Sequence, residues 1–133
     1  MTLFSSPSDE EILKAIEAWI DDLALGNYAS AYARTDHDAY YRWTSELMRS
    51  VIEGYGLPAA GNSAKRFSVT SRALALGSAP RRVVDREVKP PNAIAYVEYR
   101  LPLDGAWSDL SAIFRVEPRA FGSELVLEEI HVL

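Results

Sequence analysis

The segment ARTDHDAYYRW, residues 33–43, gathers residue types that can do acid–base chemistry. It places His37, the first of two histidines in the chain, between Asp36 and Asp38. Either aspartate can fix the tautomer of the imidazole, and such a pair can then move a proton near neutral pH. His37 and Asp38 are therefore candidate catalytic residues. The aromatic side chains that follow can supply hydroxyl groups and flat apolar walls to a small ligand: Tyr40, Tyr41 and Trp43.

The same segment is also typical of a join between two helices. Asp36 and Asp38 are residues that favour helix starts, and Thr44 can cap the helix that follows. Trp43, beside that cap, can pack on the helix as a hydrophobic staple. The residues alone leave the catalytic and the structural interpretation open.

The composition describes a small, acidic, cysteine-free chain. Its 133 residues suit one domain, 1–133, with a flexible start at 1–7. The net charge of -5 argues against a nucleic-acid partner, and no apolar run approaches the roughly 20 residues of a membrane helix. Zero cysteines and two histidines argue against a metal site, and we expect no cofactor. The start MTLFSSPSDEE lacks the features of a signal peptide, so we expect a cytoplasmic protein.

The first half of the chain predicts three helices. Ser8 opens a capping box, and apolar residues then recur at helical spacing until Gly26. Asn27 can cap a short second helix, YASAYAR, and Thr44 a third, which has Gly56 as its stop. The stripe of the first helix consists of Ile12, Leu13, Ile16, Trp19, Ile20 and Leu23.

The second half predicts strands. Beyond a loop at 57–65 the apolar period changes from helical to alternating. Helices followed by antiparallel strands indicate an α+β fold, with three N-terminal helices packed on one face of a mainly antiparallel sheet. The predicted strands are 66–76, 81–89, 93–103, 107–117 and 124–133.

The dipeptide Asp104–Gly105 predicts a tight hairpin that pairs Leu103 with Ala106. Counting outward, and pairing Glu117 with Ser123 in the next hairpin, gathers one apolar face that should contact the helices. That face contains Ala95, Val97, Tyr99, Leu101, Leu110, Ala112, Phe114, Val116, Val126, Ile130 and Val132.

Glu128 is the anomaly on this predicted apolar face. A buried, ionised carboxylate is costly, so it must find a donor, take up a proton or reach water in a cavity. A glutamate of raised pKa can serve as an acid or base, which makes Glu128 a third candidate catalytic residue. The alternative is a position near the rim, or a hydrogen bond from a tyrosine on a helix.

The opposite face carries Arg100, Asp109 and His131 in a row across three strands. An arginine, a carboxylate and an imidazole can form an acid–base trio, but a cross-strand ladder of salt bridges uses the same residues. A one-residue bulge would exchange the two faces and this assignment with them.

The order and texture of these elements resemble the nuclear transport factor 2-like superfamily. The resemblance rests on ALGNYASAYA after an amphipathic first helix, on a third helix ending near GYGLP, and on the meander from REVKPPNAIAYVEYRLPLDGAWSDLSAIFRVE to LVLEEIHVL. It implies a cone-like curved sheet with a pocket between the helices and the concave face, and it places residues 35–43 near the pocket mouth. Catalytic residues do not transfer, since the first helix offers Trp19 where ketosteroid isomerases have a tyrosine.

We therefore expect a small, largely apolar ligand in the cone, and Glu128 as acid or base if the protein is a proton-transfer isomerase or cyclase. The alternative is a non-catalytic dimerisation or protein-interaction module. We also expect a homodimer, and the outer sheet face is the candidate contact. The expected ligand-binding residues are Trp19, Tyr32, Tyr40, Tyr41, Trp43 and Tyr99.

Overall fold

The computed structural model describes residues 2–55, 66–81, 83–87 and 93–132. The predicted fold class is confirmed, because three helices pack with a curved, mainly antiparallel sheet in an α+β arrangement. No helix within these ranges is long and apolar enough to cross a membrane. In chain order the elements are β1 Thr2–Leu3, α1 Asp9–Ala24, α2 Tyr28–Ala33, β2 Asp36–His37, α3 Ser45–Glu53, β3 Val84–Asp85, β4 Ala95–Leu103, β5 Ala106–Pro118 and β6 Ser123–Val132.

Helix α1 begins and ends as its sequence predicts. The Ser8 hydroxyl accepts from the Glu11 amide at 3.1 Å, and the Ser8 amide donates to the Glu11 carboxylate at 3.3 Å, which completes the capping box. Gly26 follows the helix with φ +76°, a conformation that costs glycine little. One face of the helix is buried and consists of Ile12, Ala15, Ile16, Trp19, Ile20 and Leu23.

The caps of α2 and α3 differ from each other. Asn27 occupies the N-cap position of α2, as predicted, but its side chain makes no capping hydrogen bond. Thr44 does cap α3, because its hydroxyl accepts from the Leu47 amide at 3.0 Å. Helix α3 ends at Glu53. The predicted stop at Gly56 and the predicted loop at 57–65 lie outside the described residues.

One of the five predicted strands is wrong, and another is shorter in the described residues than predicted. The range 66–76 contains a single 3₁₀ turn, Arg72–Leu74, and isolated bridges from Val69 to Leu103 and from Leu76 to Ala106. Within 81–89 the described part of the chain forms only β3. Alternation alone did not separate a strand from an extended segment that packs on the end of a hairpin. By contrast, β1 lies in the predicted flexible start and pairs with β6.

The first hairpin is confirmed, but its register changes after the first two residue pairs. Leu103 pairs with Ala106, as predicted. An irregularity between Arg100 and Pro102 then moves Tyr99 opposite Ala112 instead of Leu110. The shift from the predicted pairing is two residues, which preserves the side-chain alternation, so the apolar residues of β4 and β5 still face α1.

A bulge in β6 overturns the predicted faces of its first half. Phe114 pairs with Leu127 and Ile113 pairs with Glu129, so Glu128 is the extra residue between them. Leu125 and Leu127 therefore take the helix-facing positions. Val126, predicted on that face, pairs with Arg115 on the outer face, which we define as the sheet face turned away from α1.

The core fills the space between α1 and the concave face. Trp19 is fully buried and its ring meets Phe114 edge to face, with centroids 5.1 Å apart. The chain's own side chains thus occupy the interior around Trp19. The other largest fully buried residues are Ile12, Ile16, Ile20, Leu23, Met48, Ile52, Leu101, Leu110, Leu125 and Leu127.

Candidate functional site

A cleft of about 580 Å³ opens where the last turns of α1 meet the first hairpin of the sheet; we call it the end cleft. Three parts of the chain enclose it: α1, the segment 71–80 with its 3₁₀ turn, and the concave side of β4 and β5. Its lining is mostly apolar, with a few polar groups. The lining residues are Asp21, Ala24, Leu25, Ser71, Arg72, Ala73, Ala79, Pro80, Tyr99 and Trp107.

A cluster of hydrogen-bonded side chains supports this cleft. The Tyr99 hydroxyl donates to Glu17 Oε2 at 2.9 Å, and Arg72 Nη1 lies 3.5 Å from Glu17 Oε1. Arg72 also donates to both oxygens of Asp21, each at 3.2 Å, and these hydrogen bonds raise the pKa of the guanidinium. A phenol held against a carboxylate can bind a polar ligand atom or exchange a proton with it.

The sequence contained a signal for only part of this cluster. Glu17 lies four residues after Leu13 and three before Ile20, so it borders the apolar stripe of α1 and not its solvated face. Arg72 had no such signal, because its segment reads as a strand and forms a 3₁₀ turn.

A second cleft, of about 530 Å³, lies beside the segment 35–43; we call it the edge cleft. Strand β2 pairs in parallel with β6, which carries this segment along the edge of the sheet and around to the outer face. The structure thereby brings several predicted site residues together with arginines. The lining residues are Tyr32, Asp36, His37, Asp38, Ala39, Arg42, Trp43, Arg115, Glu117, Arg119 and Val126.

His37 and Asp38 have different partners within the edge cleft. The His37 ring stacks on Tyr32 with centroids 3.9 Å apart, and its Nε2 lies 3.2 Å from the Thr35 hydroxyl. The Asp38 carboxylate accepts from the Tyr40 amide at 2.8 Å and from Arg115 at 2.7 Å, and these bonds lower its pKa. None of these contacts joins the imidazole to the aspartate.

Arg115 is the centre of an ion-pair network on the outer face. It binds Asp38 and Glu117, and its Nη1 lies 3.8 Å from Glu128 Oε2. Arg119 extends the network to Glu117 at 2.9 Å and to Asp36 at 2.6 Å. A network in which each carboxylate faces a guanidinium has a structural role without any ligand.

Two glutamates of this network have opposite pKa shifts. Burial acts to raise the pKa of Glu117, but hydrogen bonds from Arg115 and Arg119 outweigh it and lower the value. Burial raises the pKa of Glu128, and the attraction of Arg115 offsets this only in part. Glu128 Oε2 is buried and makes no hydrogen bond with the described residues. The poorly solvated carboxylate that was predicted at Glu128 therefore lies on the outer face of the sheet and not inside the cone.

The predicted aromatic ligand residues lie in several environments. The Tyr32 hydroxyl donates to the Trp43 carbonyl at 3.2 Å, and the Trp43 indole donates to the Glu128 carbonyl at 3.1 Å, so both rings fasten the edge segment. Tyr40 is exposed. The Tyr41 hydroxyl donates to Glu129 at 2.7 Å, which raises the pKa of Tyr41 to about 12. Of the remaining two, Trp19 lies in the core and Tyr99 lines the end cleft.

The predicted row on the outer face changes one member. Arg100 pairs with Ser111, which pairs with His131, so a buried serine stands where the aspartate was expected. Asp109 instead accepts a hydrogen bond from the Tyr55 hydroxyl beyond α3. The irregularity in β4 and β5 causes this replacement, since it adds two residues to β5.

Metal ligands are not gathered in the described ranges: no group of three or more histidine, aspartate and glutamate side chains there is placed to hold an ion. No family model, curated protein or solved structure matches the chain.

We expect the His37 imidazole to titrate below the ordinary histidine value of about 6.5. Burial against Tyr32 disfavours the charged ring, and the attraction of Asp36 only partly opposes this. Because the folded pKa is depressed, this group's contribution to stability is present above the unfolded pKa and is lost as the pH falls through the folded pKa. Nuclear magnetic resonance titration of the ring measures the value directly.

Replacing Tyr32 with alanine provides the comparison for His37, since it uncovers one face of the ring. The imidazole pKa should then rise toward the ordinary value. A wild-type ring that titrates at or above about 6.5 would contradict the prediction.

Proposed function

We propose that this chain is a cytoplasmic, nuclear transport factor 2-like protein that binds a small, largely apolar molecule in the end cleft. The observation that carries the proposal is the makeup of the cleft: apolar walls surround a few polar groups in a volume of about 580 Å³. Small-molecule sites in proteins typically have this composition and size. The order of helices and curved sheet supports the superfamily assignment.

The end cleft is a better ligand site than the interior or the edge cleft. Trp19 and Phe114 are fully buried and fill the space between α1 and the sheet. The edge cleft is lined by ion pairs that already satisfy one another. Glu128 lies near Arg115 on the outer face, so the acid–base pair that a ligand in the end cleft would meet is Tyr99 with Glu17.

A fluorescent neutral probe tests this proposal. N-phenyl-1-naphthylamine should bind the purified protein, and Ala79→Trp, which fills the cleft from an exposed position, should weaken its binding about tenfold or more. Ala33→Trp is the matched control, because Ala33 is exposed at the end of α2. Equal probe binding by wild type and Ala79→Trp would reject the end cleft as the site.

A second candidate function is homodimerisation through the outer face, and the arrangement of charges there favours it. Arg100, Ser111 and His131 form one row, and Glu98, Ile113 and Glu129 form the next. Two copies stacked about a two-fold axis would bring the basic row of one against the acidic row of the other. The Ser111 hydroxyl in the first row is buried without a hydrogen-bond partner among the described residues.

Light scattering tests the dimer. Wild-type protein should have twice the mass of the monomer, and Arg100→Glu should shift the population to monomer by placing acid against acid. Arg49→Glu, on the exposed side of α3, is the control for the change of charge. A wild-type monomer, or a dimer insensitive to Arg100→Glu, would exclude this interface.

A further inference from the structure

We propose that the outer-face dimer pairs Arg100 with the partner's Glu98 and His131 with the partner's Glu129, so that protonation of His131 tightens it. This inference rests on the second candidate function, since it assigns the residue pairs of that interface and makes its affinity depend on pH. It follows from the order of residues in the two rows, from the shape of the face between them and from the contacts of Glu129.

The two rows have the same pattern across the sheet. Each row has an ionisable residue on β4, an uncharged residue on β5 and an ionisable residue on β6. From β4 to β6 the rows are Arg100, Ser111, His131 and Glu98, Ile113, Glu129. A two-fold axis that runs along the rows, midway between them, places every residue over its counterpart from the other row on the same strand of the partner. Base and acid therefore face each other on both β4 and β6.

Arg100 and Glu98 are available for pairs between copies. Both side chains are exposed, and neither makes an ion pair or a hydrogen bond in the part of the chain that the structure describes. Arg115, which also lies on the outer face, binds Asp38 and Glu117 of its own chain instead. Opposite charges across an interface fix the register of the two partners. The pair of Arg100 with the partner's Glu98 would fix it here.

The residues between the charges have complementary sizes. Ser111 is small and fully buried, and it lies between the longer side chains of Arg100 and His131. Ile113 is larger and partly exposed. The same two-fold axis places Ile113 of each copy over the partner's Ser111, so a bulky apolar side chain meets the lowest point of the opposite face.

The contacts of Glu129 hold its carboxylate beside the imidazole. Oε1 lies 3.1 Å from His131 Nδ1, and Oε2 accepts from the Tyr41 hydroxyl at 2.7 Å. The side chains of His131 and Glu129 are 38% and 32% exposed, so a second copy can contact both. Two imidazoles and two carboxylates would then form one cluster at the interface. The carboxylates repel each other when the rings are neutral, and the charges balance when both rings are protonated.

The other groups that face His131 keep their charge near neutral pH. Arg100 lies beyond Ser111 on β4 and stays charged, while Asp109, the next acid on β5, accepts a hydrogen bond from the Tyr55 hydroxyl. A histidine ordinarily changes charge between pH 5 and 8, above the range of exposed carboxylates. Dimer formation should therefore take up protons at His131 and be favoured as the pH falls toward 6.

Sedimentation equilibrium of the full chain at pH 6 and pH 8 tests the role of His131. We expect the dimer to be about fivefold tighter at pH 6, because two symmetric pairs each gain the modest energy of a partly exposed ion pair. His131→Gln and Glu129→Gln should each remove the difference, since one loses the titrating ring and the other the facing carboxylate. His37→Gln is the matched control: it replaces the only other histidine, which lies outside both rows, and should keep the difference.

A mixture of two charge-reversed chains tests the residue pairs. Arg100→Glu places acid against acid, and Glu98→Arg places base against base, so each variant alone should be mainly monomeric. Mixed at equal concentrations, the two chains should form a heterodimer, because every pair on β4 then joins opposite charges. Light scattering measures the mass of each variant and of the mixture.

The outcomes separate the inference from the dimer itself. If wild type is a monomer at both pH values, or Arg100→Glu leaves the dimer intact, the outer face is not an interface, and the second candidate function and the inference both fail. If the dimer requires Arg100 but is equally tight at pH 6 and pH 8, the inference fails and the dimer stands. The same holds if His131→Gln keeps the pH dependence, or if the mixture remains monomeric.

Discussion

Replacing Trp19 with alanine lowers the free energy of unfolding by about 3–5 kcal/mol. The side chain is fully buried and its ring packs edge to face on Phe114, between α1 and the sheet. Alanine would lose this apolar burial and leave a cavity that the surrounding helix and strands close only partly. Since domains are stable by only about 5–15 kcal/mol, the loss is large. Urea unfolding followed by circular dichroism measures it.

Two further variants serve as comparisons for the loss of stability in Trp19→Ala. Leu25→Ala is the control, because Leu25 is exposed just after α1. Its replacement should lower the free energy of unfolding by less than about 0.5 kcal/mol. Trp19→Phe should lose less than half as much as the alanine variant, since it keeps a ring and removes an indole N–H that has no hydrogen-bond partner among the described residues. A loss below about 1 kcal/mol in Trp19→Ala would mean that Trp19 does not hold the helix to the sheet.

The helical half of this fold could be predicted in detail because its signals are local. The capping box at Ser8 and the cap at Thr44 involve residues three apart, and both form as predicted. The hairpin at Asp104–Gly105 is equally local, because two residues determine its turn. Interactions of this kind need no knowledge of the rest of the chain.

The sheet could be predicted only up to its irregularities. The bulge at Glu128 depends on how β6 fits against β5, which no short stretch of sequence specifies. One extra residue exchanged the faces of Val126 and its neighbours, and it moved Glu128 from the interior to the network of Arg115. Burial still raises the pKa of Glu128, as expected for a desolvated carboxylate, but the predicted location of the residue is wrong.

The candidate site was even less accessible from sequence, because it joins distant segments. Tyr99 was selected from its face of the sheet, and it does line the end cleft. Its hydrogen-bond partner Glu17 lies on α1, 82 residues earlier in the chain. Arg72, which contacts Glu17, lies in a segment that was predicted to be a strand. From sequence alone, a charged residue is usually assigned to the solvent-exposed surface. Comparing its position on a helix with the apolar stripe can show that it borders the buried face instead.

Replacing Arg115 with methionine destabilises the protein by about 2 kcal/mol near pH 7. Methionine keeps much of the apolar stem, so the variant mainly removes the charge that Asp38, Glu117 and Glu128 share. The Arg115 side chain is only 19% exposed, and its loss leaves three partly buried carboxylates to repel one another. Arg49→Met is the control: Arg49 pairs with Glu53 at an exposed site, where we expect a much smaller destabilisation than for Arg115→Met.

The destabilisation caused by Arg115→Met should become smaller at low pH, and the shifted pKa values of the neighbouring carboxylates explain why. The folded pKa values of Asp38 and Glu117 are lowered, so the stability that they contribute is present above the unfolded carboxyl values and is lost as the pH falls through the folded ones. Urea unfolding across the acid range should therefore bring wild type and Arg115→Met together. A difference that stays constant with pH would show that packing, and not charge, is responsible.

The contribution of Glu128 to stability should change with pH in the direction opposite to that of Asp38 and Glu117. Its folded pKa is raised by burial, so the stability linked to its protonated form is present below the unfolded value and is lost as the pH rises through the folded one. Glu128→Gln removes a carboxylate that is costly when ionised, and near pH 7 it should stabilise Arg115→Met more than it stabilises wild type. The two substitutions are therefore coupled, and a double-mutant cycle measures that coupling. Additive effects on the free energy of unfolding would show that Glu128 does not interact with Arg115. If the two do interact, Glu128→Gln stabilises the protein more when the arginine is absent than when it is present.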